Sequence, residues 1–295
     1  MNYQIKPLDF SGVFEKAFKL TLSNIKSYSK LYMIFFGVIL AVLGLIFGAF
    51  YWYIVNNEGF FSKIKEMPYI MRDPSSFKIL LIIIPIIIAL YVILLIMGSI
   101  FTYMSYDLFI KGFLNEPWDM RMSFNIAKTK IGRIFGAIFG VSFVVLGGVL
   151  LCCVGLIPAY VFTALILPVL VYENLGISAS FKRAYELTKP NFWEVFVLIF
   201  VYLFIMSFLG GFIQFFSFFF GLIIPQLSNG SPNSTALLLL VVLSIVFTIV
   251  ILLIGLISNA FSNAFYTILY FNQRVKVENF GQEQENIIED QTDSE

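Results

Sequence analysis

Histidine is absent from the 295 residues, cysteine occurs twice, and only 13% of positions carry a charge. Without histidine, the commonest general base and the commonest transition-metal ligand are both missing. The two cysteines, Cys152 and Cys153, are neighbours inside an apolar run. Adjacent thiols make a poor disulfide framework, and two alone do not make a zinc site, so they read as small core residues. A net charge of +1 gives no footprint for nucleic acid. Charges recur up to Lys30 and no small-residue cleavage site follows a short apolar core, so no cleavable signal peptide is expected. Paired carboxylates, a nucleophile–base pair and a metal cluster are all missing from the pattern. No cofactor is expected, and an enzyme acting on lipids ranks behind every other reading.

What the chain has in abundance is apolar surface. Apolar residues make up 59% of it, with 35 phenylalanines, whereas soluble chains carry about a quarter charged residues. A charge at the centre of a span costs about 2.5–3.5 kcal/mol, so uncharged runs mark the spans. Such runs cover 31–57, 79–106, 134–172 and 195–273. The third is long enough for two helices with a turn near Gly155 to Pro158, and the fourth divides at PQLSNGSPNST, 225–235. The expected fold is an all-α integral membrane protein with six transmembrane helices. They lie at about 31–55, 79–106 (with Pro85 as a kink), 134–154, 157–172, 195–224 and 236–260, in a domain covering 1–278. With the N-terminus inside, fifteen Lys and Arg face the cytoplasm and four face outward. That bias puts both termini in the cytoplasm of a cell (inner) membrane. The stretch 279–295 is acidic, with no basic residue after Phe280, and is expected to be a disordered cytoplasmic tail. Two glycosylation triplets, at Asn229 and Asn233, fall in an external loop, where chance suffices to explain them.

One peptide occurs twice. FEKAFKLTLSNI, 14–25, and FKRAYELTKPNF, 181–192, share five of twelve positions, and each precedes a long apolar run. Apolar residues recur in both at helical spacing. Each reads as an amphipathic interfacial helix, over 10–28 and 177–190, with Lys16, Lys19, Lys182 and Lys189 toward anionic headgroups. Ser11, or Ser178 and Ser180, suit the N-caps. Asn24, Pro190 and Asn191 mark the bend into the bilayer. SFNIAKTKIGRIF, 123–135, is a weaker third copy, with its helix at about 120–132. Three copies and six spans suggest three parallel hairpin repeats.

Within the spans, Ser258, Asn259, Ser262 and Asn263 form the most polar stripe, and Gln214 lies near the middle of the fifth. Amides at that depth need protein or water, so the stripe is either interhelical glue or a headgroup or substrate contact. Gly132, Gly136 and Gly140 repeat at four-residue spacing and let another helix approach closely. Glu173 ends the fourth span and can pair with Arg183 or Lys182, fixing the bend there. No ionisable residue lies in the middle of any span, which disfavours an ion-coupled transporter.

The stretch LPVLVYENLGISASFKRAYELTKPNFWEVF, 167–196, resembles the membrane domain associated with glycerophosphoryl diester phosphodiesterases and related six-span bacterial proteins. Pro168, Glu173, Gly176, Arg183, Leu187 and Phe192 carry the match. LYFNQRVKVEN, 269–279, is similar to that family's terminal pattern but has Asn272-Gln273 where an Asp-Leu pair is usual. The resemblance implies a six-span membrane module and the Glu173–Arg183 pair. It implies no enzyme, because the phosphodiesterase chemistry belongs to a separate barrel domain that uses His and metal-binding carboxylates. The expected function is a non-enzymatic multi-pass membrane protein: a scaffold, accessory subunit or lipid-organising module. Its expected partners are membrane lipids and another membrane protein. The alternative is a transporter-like protein for a lipid or other amphiphile, with Asn259, Asn263 and Gln214 along its path.

Overall fold

The computed structural model describes residues 6–56, 74–150, 155–228 and 234–280. Every element among them is helical. In order they are α1 (Phe10–Asn56), α2 (Pro74–Leu114), α3 (Met120–Leu150), α4 (Leu156–Thr163), α5 (Ile166–Tyr172), α6 (Ile177–Thr188), a 3-10 turn (Lys189–Asn191), α7 (Phe192–Ser228) and α8 (Ser234–Glu278). Five helices, α1, α2, α3, α7 and α8, are long and apolar enough to cross a membrane. Cys152, Cys153, Asn229, Asn233, residues 57–73 and the acidic stretch beyond Phe280 lie outside the described residues.

Two of the three helices expected at the interface are not separate elements. Residues 10–28 and 120–132 are the opening turns of α1 and α3, continuous with the spans that follow. For α1 the difference from the second copy comes down to one residue. Where the second copy has Pro190, the first has Ser23, and proline removes a backbone donor and crowds the preceding turn. In α1 the Ser23 hydroxyl and the Asn24 amide each bond back to the Leu20 carbonyl at 3.0 Å, so Asn24 sits inside the helix and marks no bend. In the second copy the helix does stop: α6 ends at Thr188, and α7 starts after the 3-10 turn that contains Pro190.

The fourth expected span, 157–172, is two helices of eight and seven residues, shorter than the other candidates. Pro168 cannot donate to the Ala164 carbonyl and its ring presses on it, which breaks the helix at Ala164–Leu165. The Thr163 hydroxyl accompanies the break with a 2.7 Å bond to the Ala159 carbonyl. By contrast α2 continues through Pro85. The N-caps also differ from expectation. Asp9, not Ser11, caps α1 by accepting the Gly12 N–H at 3.1 Å, and Asp119 caps α3 by accepting Met122 N–H at 2.7 Å. At α6 the cap position is Gly176, and Ser180 turns back to bond its carbonyl at 2.9 Å. Three helices end on an asparagine in the left-handed region that this residue tolerates: Asn115 after α2, Asn174 after α5 and Asn279 after α8.

The chain divides into two compact units. The first holds Met1–Tyr28, Ser105–Trp118 and Gly136–Glu295. Its centre is the C-terminal half of α8, where every residue from Asn263 to Gln273 is at most 9% exposed. A helix buried all round is a core helix. Rings close on it from every side: Phe14 of α1 on Phe265 (5.3 Å), Phe113 of α2 on Phe271 (4.5 Å), Tyr172 of α5 on Phe271 (5.2 Å) and Tyr202 of α7 on Phe265 (4.5 Å). Helix α6 lies against α3, where a Cβ on Gly140 would come within 2.9 Å of the Phe181 ring and one on Gly136 would strike Ile177. Gly132 is not part of this contact. It is exposed, and a Cβ there would meet no atom within 4 Å.

The second unit holds Ser29–Met104 and Asp119–Phe135. In it Tyr32 and Phe35 of α1 pack on Phe101 of α2 at 6.1 and 5.5 Å, beside an apolar recess that Phe36, Ile39, Met97 and Gly98 also line.

Candidate functional site

The most concentrated charge lies where α5, α6 and α8 end or begin. Pro168 and the left-handed Asn174 turn the chain so that Glu173 faces back toward α6. Arg183, one face of α6 later, donates its Nε to both Glu173 carboxylate oxygens at 2.9 and 3.1 Å. The same guanidinium reaches Glu278 at the end of α8 through Nη1. Arg274, one turn before, bonds Glu278 at 3.0 Å and lies 3.9 Å from Glu173. The Tyr270 hydroxyl donates to Glu173 at 2.7 Å, and the Arg274 guanidinium stacks 3.9 Å from the Phe280 ring. Two acids and two bases thus cancel among half-buried groups, each carboxylate held by more than one donor. Burial alone would raise the Glu278 pKa, but the bonds from Arg183 and Arg274 outweigh it and hold the carboxyl below its usual range. Glu278 and Arg274 were not singled out from sequence. The signal was present: Glu173-Asn174-Leu175-Gly176 recurs as Glu278-Asn279-Phe280-Gly281.

The polar stripe on α8 is bonded mainly to other helices. The Tyr28 hydroxyl of α1 donates to Asn259 Oδ1 at 2.5 Å. Asn263 donates to the same oxygen at 3.1 Å and to the Asn259 carbonyl at 3.0 Å. The Tyr202 hydroxyl of α7 donates to Ser262 at 2.8 Å, and the Tyr160 and Tyr266 hydroxyls share a bond at 2.8 Å. Asn263 is buried, Ser258 and Ser262 are half-buried and Asn259 is exposed. Gln214 is exposed on α7 and does not join this network. The tyrosine partners went unnoticed because tyrosine is common at membrane interfaces and carries no periodic signal of its own.

Elsewhere in the first unit, Lys276 meets Glu194 at 2.5 Å, and Asp107 accepts from Trp118 at 3.1 Å while facing Lys111 at 3.4 Å. Deeper on α8, the side-chain nitrogens of Asn272 and Gln273 are buried without an acceptor, although their oxygens accept from the Leu8 N–H (2.8 Å) and from Asn191 (3.1 Å). The lysines expected at the interface divide into two kinds. Lys19 and Lys182 pair with Glu15 and Glu186 one turn away, at 2.5 and 3.9 Å. Lys16 is half-buried, and Lys189 lies over the Tyr185 ring at 5.5 Å. Among the described residues, no three His, Cys, Asp or Glu side chains gather where they could share a metal ion. Comparison of the chain with family models, with curated proteins and with solved structures returns no match.

Proposed function

We propose that the chain is a non-enzymatic, six-span membrane protein that works as a scaffold, accessory subunit or lipid-organising module. The observation that carries this reading is the bonding of the α8 stripe. Asn259, Asn263 and Ser262 take their partners from α1, α7 and α8 itself, which is the behaviour of interhelical glue. A substrate path needs polar groups left open to the substrate. The basic faces at Lys16, Lys19, Lys182 and Lys189 supply a working surface toward anionic headgroups, in keeping with the likeness of 167–196 to the phosphodiesterase-associated membrane domain.

Six crossings with both termini in the cytoplasm agree with the charge bias and with a contact inside the first unit. The Leu8 N–H donates to Asn272 near the end of α8 at 2.8 Å, so the start of α1 and the end of α8 share one end of the bundle. An even number of crossings brings them there, and the broken pair α4–α5 supplies the sixth. One observation favours the alternative of an amphiphile transporter: Asn259 remains exposed despite its bond to Tyr28. Replacing Asn259 and Asn263 together by leucine separates the two. A scaffold keeps its co-purifying partner in native mass spectrometry if it stays folded. A transporter folds and loses its bound amphiphile.

A further inference from the structure

The basic surface proposed above is not uniform, and its one lysine held by an aromatic ring alone heads a continuous aromatic track. Lys189 sits over Tyr185, and among the described residues no carboxylate lies within ion-pair reach of it. Cation–π contact positions an ammonium without neutralising it. From Tyr185 the rings run on without a gap: Phe162 of α4 at 4.9 Å, Phe192 at 5.3 Å from Phe162, Phe196 at 6.4 Å from Phe192, and Phe200 at 6.0 Å from Phe196. Trp193 flanks the start of this track, 5.4 Å from Phe192 and 74% exposed. Beyond it Phe200, Phe204 and Phe208 follow at one-turn spacing along α7, at 58, 68 and 71% exposure. From Trp193 to Phe208 the face is about 22 Å long at about 1.5 Å per residue. One leaflet's share of the hydrocarbon core is about 15 Å.

The geometry points to a binding site for one anionic phospholipid, its phosphate on Lys189, its glycerol level at Trp193 and Tyr185, and an acyl chain along Phe196, Phe200 and Phe204. A cation, an aromatic belt and an apolar track follow one another in the order a lipid presents phosphate, interface and chain. This assignment rests on the reading of α6 as an interfacial helix.

The test is native mass spectrometry of the full chain in mixed micelles with phosphatidylglycerol or phosphatidylcholine. Wild type is expected to retain one phosphatidylglycerol in preference to phosphatidylcholine. Lys189→Gln should weaken that retention about tenfold, the scale of one charge-assisted hydrogen bond, and Lys189→Arg should restore it. Arg121→Gln, at the exposed start of α3 and outside the basic surface named above, should leave it unchanged. Should Lys189→Gln fail to fold, phosphatidylglycerol brominated on its acyl chain provides a second reading. It should quench wild-type fluorescence more than that of Trp193→Phe. Equal retention of both lipids by wild type, an unaffected Lys189→Gln protein or identical quenching of the two proteins would overturn the site. Displacement of the lipid by inorganic phosphate alone would overturn it too, because it would show a phosphate site without a chain track. None of these results depends on the number of crossings, so the site can fail while the six-span reading stands.

Discussion

Hydrogen-bonding capacity at a few positions decides what each buried residue can be exchanged for. Asn263 is buried and gives both amide hydrogens to Asn259, while Tyr28 gives its hydroxyl to the same Oδ1. Tyr28→Phe removes one interhelical bond and leaves an acceptor that Asn263 still satisfies. The loss should be about 0.6 kcal/mol, and no more than ~1.7 kcal/mol, the range for such bonds between membrane helices. Asn263→Leu should cost more, because it removes both amide bonds to Asn259 and puts a larger apolar group at a buried position. Thermal unfolding in detergent, followed by circular dichroism, ranks the two. The glycines separate in the same way. Gly140→Leu must displace the Phe181 ring and loosen α6 from α3, costing about 1–3 kcal/mol as an overpacked contact. Gly132→Ala meets open space and should be neutral or stabilising, by up to about 1 kcal/mol from helix propensity. Equal effects at the two glycines would show that α6 does not lie on α3.

Whether a helix ends in the membrane interface depends on backbone chemistry more than on amphipathic pattern. The two related peptides, 14–25 and 181–192, have similar apolar spacing, yet only the one with Pro190 stops. Ser23→Pro should therefore break α1 at a cost of about 3 kcal/mol and lower the yield of folded protein, while Pro190→Ala should be tolerated. What holds α6 in place after the break is the Glu173–Arg183–Glu278 cluster. The Glu278 pKa is depressed in the folded chain, so its contribution is present above the usual carboxyl range and is lost as pH falls through the lowered folded value. Intrinsic Trp193 fluorescence, reporting on the α6–α7 junction, should shift on acidification below about pH 4.5. In Glu278→Gln the shift should be absent and the junction already loose at neutral pH. The sequence made the apolar runs, the Pro190 stop and the Glu173–Arg183 pairing legible, because each is local or within ten residues. It concealed the Ser23 continuation, since a serine whose hydroxyl bonds back to the preceding turn lets the helix run on. It also concealed Glu278, because a contact spanning 95 positions leaves no periodic trace beyond the repeated Glu-Asn-x-Gly.

Burial is concentrated at one end of the helices, and that distribution ties the packing to the topology. The fully buried side chains of the first unit gather around α8 from Ala260 to Val275, whereas Leu253, Val246 and Ile245 on the same helix are more than half exposed. Water excludes the apolar surface of such an end, while lipid is content to solvate the rest, so tight packing is needed only near the headgroups. The three left-handed asparagines close α2, α5 and α8 at the positions where three hairpin units would each return to the same side. If α4 and α5 together cross, every one of those returns lies in the cytoplasm with fifteen of the Lys and Arg. If they do not, α6 with Lys182 and Arg183, and Lys189 just after it, move outside, and the two termini fall on opposite faces. A chain with Cys152 and Cys153 replaced by alanine permits the decision, because single cysteines can then be introduced at Asn2, Ser178 and Ser294 and tested with a membrane-impermeant maleimide on intact cells. All three should resist labelling until the cells are opened. Labelling of Ser178→Cys and Ser294→Cys on intact cells, with Asn2→Cys still protected, would leave the protein with five crossings. The 2.8 Å bond between Leu8 and Asn272 would then join groups separated by the full thickness of the bilayer, so the same labelling tests the topology and the core of the first unit together.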